Sequence, residues 1–159
     1  MLFIYCAGSL GKEIYDLALR TKYNANDILF VDDSKPDCFF TFDKIKVISN
    51  SQLLERFSNN DKIIIANGEP AIREKIYNNL SNKGMFFDTL IDPNSIISPS
   101  AKIGKGSIIC DFCSISSDAI INNNILVNRQ SIIGHDILIG KNSVISNSVS
   151  LSNLLHSLA

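Results

Sequence analysis

Two hydrophobic rhythms run along the chain and change over near residue 90. In the second half every sixth residue is a large aliphatic: Ile91, Ile97, Ile103, Ile109, Ile115, Ile121, Val127, Ile133, Ile139, Ile145 and Leu151. A helix repeats every 3.6 residues and a half-buried strand every two. A sustained six-residue period predicts a parallel β-helix, with one short strand and one corner per hexad and three hexads per triangular coil. Two positions before each aliphatic stand Ser95, Ala101, Ser107, Cys113, Ala119, Ile125, Ser131, Ile137, Ser143 and Val149, most of them small. Residues i and i−2 share a face of a pleated strand, so each wall of a narrow prism would hold one large and one small side chain. Gly104, Asn122, Asn128, Gly134 and Gly140 follow directly on the aliphatic. They are expected to form the corners, because Gly and Asn tolerate the backbone angles of tight turns. The period itself carries no handedness, although parallel crossovers are nearly always right-handed.

Residues 1–90 alternate strand and helix signals instead. Leu2–Tyr5 reads as a first strand, and a Gly-Ser-Leu-Gly turn leads into a helix with Ile14, Leu17 and Ala18 on one face. Ile28–Val31 is a second strand ending at Asp32-Asp33, and a third is expected near Lys46–Ile48. A short helix over Ser51–Phe57 would be capped by Ser49 or Asn50. Ile63–Ala66 makes a fourth strand, Pro70 starts a helix marked by Ile72, Ile76 and Leu80, and Phe86-Phe87 lie on a last short strand. Such alternation implies a parallel sheet with helices packed on it. The expected organisation is an α/β Rossmann-like domain over 1–90 followed by a β-helix over 91–159.

Sheets of this kind bind ligands at the carboxyl ends of their strands, and three candidate features fall there. Cys6-Ala7-Gly8-Ser9-Leu10-Gly11 keeps two of the three glycines of a nucleotide-binding turn, with Cys6 in the first position. Gly8 and Ser9 would approach a phosphate, and Gly11 opens a helix whose free N–H groups attract anions. Asp32 and Asp33 end the second strand, where an acid can accept bonds from a ribose or base. Ala66-Asn67-Gly68-Glu69 ends the fourth. Each feature alone also fits a plain turn or a solvated strand exit. In the repeat, Ile133-Gly134-His135-Asp136 sets a histidine at a coil corner beside an acid. By spacing alone it is either a solvent-exposed corner residue or a general base.

Composition removes several alternatives. A hydrophobic share of 45% fits a folded protein, and no apolar run reaches the length of a membrane span. Met1–Cys6 has no basic flank and reads as a strand, not a signal peptide. A net charge of −1 argues against a nucleic-acid or anionic-membrane partner. Cys110-x-x-Cys113 has neither a second ligand pair for zinc nor a helix start for redox chemistry. The four cysteines are therefore expected to be ordinary thiols in the cytoplasm, with no metal site.

The ordered set of the nucleotide turn, Asp32-Asp33, Ala66-x-Gly-x-x-x-x-Arg73, Ile96-Ile97-Ser98-Pro99-Ser100-Ala101-Lys102-Ile103-Gly104, Val127-Asn128 and Ile133-Gly134-His135-Asp136 resembles the bacterial sugar O- and N-acetyltransferases. These are the sialic acid O-acetyltransferase-like enzymes, similar to those acetylating UDP-linked amino sugars. The resemblance implies a left-handed β-helix and a homotrimer with active sites between neighbouring subunits. It implies acetyl-CoA as co-substrate and a nucleotide-linked sugar or sialic acid as acceptor. It implies His135 as catalytic base, Asp136 as the acid behind it and Asn128 as an active-site asparagine. Gly8, Ser9, Gly11, Asp32, Asp33 and Gly68 would bind the acceptor, and Val144 and Ser146 would lie on the cofactor side. The chain departs from the family at Leu10 and Val144, where histidines are usual, at Gly134, where an acid is common, and at Asn147-Ser148. Ser152–Ala159 loses the hexad pattern, as a shortened β-helix would. Two functions follow as expectations: acetyl transfer to the amine or hydroxyl of a sugar in glycan biosynthesis, or a weak or inactive relative that binds a sugar nucleotide or a partner subunit. A nicotinamide-dependent oxidoreductase fits the first half but not the hexad solenoid.

Overall fold

The computed structural model describes residues 1–152; the tail read as losing the hexad pattern lies outside them from residue 153 onward. Four strands, β1 (Leu2–Tyr5), β2 (Ile28–Val31), β4 (Ile45–Ile48) and β5 (Lys62–Ile65), form a parallel sheet in the order β4-β2-β1-β5. A two-residue strand, β3 (Phe39–Phe40), pairs antiparallel on the outer edge of β4. It is too short to display an alternation and exists through its partner. Phe87 adds only a parallel bridge to Ile63, not a full strand.

Helix α1 (Ser9–Arg20) buries Ile14, Leu17 and Ala18 as its periodicity requires, together with Gly11 and Tyr15. Helix α2 (Asn50–Arg56) starts in a capping box, with Ser49 accepting from the Gln52 amide and the Gln52 side chain accepting from the Ser49 amide. Such a cap is worth about 1 kcal/mol. Helix α3 (Pro70–Asn82) differs from expectation on its inner face. Ile72 is exposed, while Arg73 and Leu80 are fully buried and Ile76 and Tyr77 pack on the same core. The face is therefore 73, 76, 77 and 80, with a charge in an apolar position.

Eleven two-residue strands follow: β6 (Leu90–Ile91), β7 (Ile96–Ile97), β8 (Lys102–Ile103), β9 (Ile108–Ile109), β10 (Ser114–Ile115), β11 (Ile120–Ile121), β12 (Leu126–Val127), β13 (Ile132–Ile133), β14 (Leu138–Ile139), β15 (Val144–Ile145) and β16 (Ser150–Leu151). They stack in three parallel walls, β6-β9-β12-β15, β7-β10-β13-β16 and β8-β11-β14. Ile97 lies opposite Ile115, which lies opposite Ile133 and then Leu151, so each coil takes three hexads. The interior holds Ile109, Ile115, Ile121, Val127, Ile133 and Ile139 beside Cys113, Ala119 and Ile125. The i and i−2 positions thus face inward, and truncating one of the central aliphatics to Ala would cost about 2–5 kcal/mol.

The corners correct one expectation. Positive φ falls on Gly106, Phe112, Asp118, Asn124, Gln130, Asp136, Asn142 and Ser148, two positions beyond the residues expected to carry it. The first residue after each strand is still leaving the wall, and the turn's later residue takes the left-handed angle. Gly104 is glycine for another reason, since a Cβ there would lie 2.4 Å from the Asn123 side chain and 2.6 Å from the Asn122 carbonyl carbon. Asn122 and Asn128 instead donate from Nδ2 to the carbonyls of Ile139 and Ile145 on the next coil, both at 2.9 Å.

One wall of the prism is covered. The outward residues Leu90, Ile108 and Leu126 are buried in a core shared with Ile14, Leu17 and Ala18 of α1 and Ile4 and Phe30 of the sheet. Arg20 of α1 pairs with buried Asp92 at 2.7 Å. Arg73 donates all around: to the carbonyls of Ile65 and Asn67 and to the backbone and side chain of Asn124.

Candidate active site

The carboxyl edge of the sheet gathers the three sequence features predicted there. Cys6 leaves β1 with φ of 81°, the angle for which the missing first glycine would be suited, and its amide donates to the Val31 carbonyl. Burial pushes the Cys6 thiol up and keeps it neutral. Gly8 precedes α1 with nothing within 4 Å of where a Cβ would stand, so its backbone is open to a ligand. The start of α1 has neither a side-chain cap nor an acidic residue in its first turn. Its free amides are donors in waiting. Gly11, in contrast, is pressed against the Cys6 carbonyl oxygen and the Phe30 ring.

The two acids are less free than the sequence suggests. Asp32 accepts from the Ala7 amide at 2.9 Å through one oxygen and from the Ser34 amide and hydroxyl through the other. Burial works to raise its pKa, but these bonds outweigh it and hold the carboxyl below the usual range. Asp32 therefore ties the nucleotide turn to β2. Asp33 accepts the Asn50 amide at 2.7 Å with one oxygen. Asn67, quoted in the sequence only as part of the fourth strand's exit, reaches Cys6 Sγ from the end of β5, and Gly68 beside it has open space at its Cα. Arg73 fixes this loop from below. Burial lowers its pKa to about 10, so it remains a cation at neutral pH, satisfied by carbonyl oxygens. The signal for it was an arginine on the apolar face of α3.

His135 stands elsewhere. It follows β13, at the vertex between the β7-β10-β13-β16 wall and the β8-β11-β14 wall. That vertex lies opposite the wall covered by the sheet domain. Its Nδ1 is 2.6 Å from Oδ2 of Asp136, and both side chains are more than half exposed. A carboxylate only accepts, so Nδ1 is the donor of this pair, and Nε2 makes no hydrogen bond among the described residues. Asp136 holds the left-handed corner angle, with its amide donating to the Ser117 carbonyl. Asn128 precedes the same strand at a different vertex, where it makes the coil-stacking bond described above. Val144 lies on the covered wall and packs against the sheet-domain core. It also lines a cleft of about 440 Å³ with Pro70, Ala71, Glu74 and Lys141. Ser146 follows β15, and its carbonyl accepts from Ser131. Within one chain, then, the sheet with its carboxyl edge and His135 lie on opposite sides of the prism. Cys110 and Cys113 are buried free thiols, and burial pushes Cys110 up to about 12. Among the described residues no cluster of His, Cys, Asp or Glu is arranged to hold a metal, and no helix is long and apolar enough to cross a membrane.

Residues 1–80, half of the chain, match the PglD N-terminal domain family. The acetyltransferase domain of PglB from Neisseria gonorrhoeae superposes with a TM-score of 0.85 at 29% identity, over 96% of this chain and 73% of that one. That domain has also been solved in complex with acetyl coenzyme A. WeeI from Acinetobacter baumannii gives a TM-score of 0.87 at 22% identity, covering 96% and 72%. PerB from Caulobacter crescentus, in complex with CoA and GDP-perosamine, gives 0.80 at 19%, covering 96% and 71%. No curated protein sequence matches the chain. Its hexad prism is the left-handed β-helix of these structures, set behind a Rossmann-like sheet. The chain belongs to the PglD N-terminal domain family, among the bacterial sugar acetyltransferases.

Proposed function

We propose that the protein transfers an acetyl group from acetyl-CoA to an amine or hydroxyl of a nucleotide-linked sugar, with His135 as general base. The observation that carries this reading is the exposed His135–Asp136 pair, with Nε2 unengaged on a rigid vertex. Nε2 takes the proton of the acceptor amine or hydroxyl as its nitrogen or oxygen bonds to the thioester carbonyl carbon. The carbon–sulfur bond then breaks, and the proton passes to the departing CoA thiolate. Asp136 keeps the imidazole in the required tautomer and stabilises its charged form. A positioned base contributes roughly 10²–10⁴-fold, and alignment of the two substrates up to about 7–11 kcal/mol. The acetyl coenzyme A bound by the neisserial domain and the CoA and GDP-perosamine bound by PerB support the choice of substrates.

The acceptor sits at Gly8, Ser9, Asp33 and Gly68 of one subunit and meets His135 of a neighbour in a homotrimer. Two features support that assembly. The sheet with its carboxyl edge and His135 lie on opposite sides of the prism in one chain, and the two walls flanking His135 are uncovered yet apolar, with Ile96, Ile132, Ile120 and Leu138 exposed. Asn128 and Ser146 share the vertex between the covered wall and the β7-β10-β13-β16 wall, and Val144, packed on the sheet-domain core, stands away from His135, so the cofactor role expected of it is not part of this reading. Release of CoA thiol from acetyl-CoA with UDP- and GDP-linked amino sugars tests the reading. His135→Ala should lower kcat by at least about 10²-fold with little change in acceptor affinity; wild-type release no faster than that of the variant overturns it.

A further inference from the structure

At the amino-terminal end of the sheet lies a cleft of about 390 Å³, lined by Lys62, Tyr77, Met85, Phe86, Phe87 and Lys105. Lys62 opens β5, and its amide donates to the Met1 carbonyl. Lys105 stands at the vertex between the β8-β11-β14 wall and the covered wall. The cleft is therefore separate from Gly8 and Gly68, at the other ends of the strands, and from the His135 vertex. Its walls are rigid. The Ile63 amide donates to the Phe86 carbonyl and the Asp88 amide to the Ile63 carbonyl, which turns Phe86 outward, 43% exposed, between buried Met85 and Phe87. Tyr77 of α3 stacks on Phe87 with ring centroids 4.3 Å apart. Gly106 permits that approach, since a Cβ there would meet the Tyr77 ring at 3.3 Å and Phe87 at 3.5 Å. The Lys105 amide donates to the Asn123 side chain, and its carbonyl accepts from the Asn124 amide.

Among the described residues neither Lys62 nor Lys105 has a carboxylate partner, whereas Lys22, Lys46, Arg20 and Arg129 all do. No acid lines the cleft. The Lys62 ammonium stands over the Phe86 ring, 4.9 Å from its centroid, a contact weaker than a charge-assisted hydrogen bond. We propose that this cleft is a second ligand site for a small aromatic anion, its ring against Phe86 and the Tyr77–Phe87 pair and its anionic group between Lys62 and Lys105. Size, shape and charge each narrow the class. The volume suits one small molecule and not a folded partner. Aromatic walls favour a planar ring, which stacks on them or meets them edge-on. Two ammonium groups with no acid beside them select an anion, and the Ser81 hydroxyl on the same wall adds a neutral donor. None of this depends on acetyl transfer.

Calorimetric titration of the whole protein with 2-naphthoate tests this. Two controls accompany it: 2-naphthalenemethanol, which has the ring without the charge, and cyclohexanecarboxylate, which has the charge without the π-face. The naphthoate should bind once per chain and at least about tenfold tighter than either control. Phe86→Leu and the Lys62→Ala/Lys105→Ala double variant should each weaken it about tenfold, while Lys62→Arg with Lys105→Arg retains most of the affinity. Phe86 and Lys105 are exposed, so melting temperatures should stay unchanged and exclude a folding effect; the arginine variant and the two controls decide the matter where they do not. His135→Ala should bind the naphthoate as wild type does, and saturating UDP should not displace it. Equal affinity for the three compounds, undiminished binding in the double alanine variant, or displacement by UDP overturns the proposal.

Discussion

Gly8 and Gly11 stand three residues apart in one turn and serve opposite ends. A Cβ on Gly11 would lie 2.6 Å from a backbone oxygen that cannot swing away, and 3.3 Å from the Phe30 ring. Gly11→Ala should therefore cost about 1–3 kcal/mol, seen as a lower melting temperature. Gly8→Ala has room and an ordinary negative φ, so the melt should stay where it is. The added methyl would instead stand where a phosphate approaches the backbone, and UDP affinity should drop. The same turn explains why an incomplete motif was still legible. Cys6 adopts the angle that glycine would take, at a strain of about 1–2 kcal/mol, so the backbone path survives the loss of the residue that usually marks it. What the residues did not disclose was the engagement of Asp32. A carboxylate bound on both oxygens by its own chain looks, in sequence, like one waiting for a ribose.

At the level of elements, the hexad period was readable because burial repeats on it: each strand turns a large aliphatic inward, most often with a small residue two positions before it. The turn residue was not, because φ near 60° is carried here by Phe, Asp, Asn, Gln and Ser as well as Gly. Side chains at that position point outward and leave no hydrophobic trace. Phe112 is the misfit of the series, a bulky ring at φ 58° and 62% exposed. Phe112→Gly should gain about 0.5–1 kcal/mol, the relief of left-handed strain exceeding the entropy of a freer unfolded chain. A melting temperature higher by about 2–4 °C would register it. Asn124→Gly keeps the angle but loses the bonds to Arg73 and Asn142, and should destabilise. α3 illustrates the other limit of pattern reading. Its 3.6-residue signal was correct as to helix and wrong as to Ile72, since Arg73 wins the buried position through five N–H bonds to oxygen that no hydropathy scale anticipates.

For the whole molecule, the junction between sheet and prism sets both stability and the location of the chemistry. Asp92 is buried, which alone would raise its pKa, but the Asn94 amide and Arg20 outweigh burial and lower it. A lowered folded value gives stability that is present above the ordinary carboxylate range and lost as pH falls through it, below about 4. Arg20→Ala should accordingly melt lower than wild type at pH 7 and converge on it in acid. The same junction holds the carboxyl edge of the sheet and His135 on opposite sides of the prism in one chain, an arrangement in keeping with the site between neighbouring subunits that the family resemblance implies. If the working site is shared between subunits, a chain lacking the base and a chain lacking the acceptor turn are each inactive alone but complementary together. His135→Ala and Gly8→Asp chains, unfolded and refolded as a mixture, should regain CoA release at about one site in four under random assortment of a closed ring. Separately refolded and then combined without exchange, they should stay silent. A mixture as inactive as its components, with assembly intact by light scattering, would place base and acceptor in the same chain and remove the shared site.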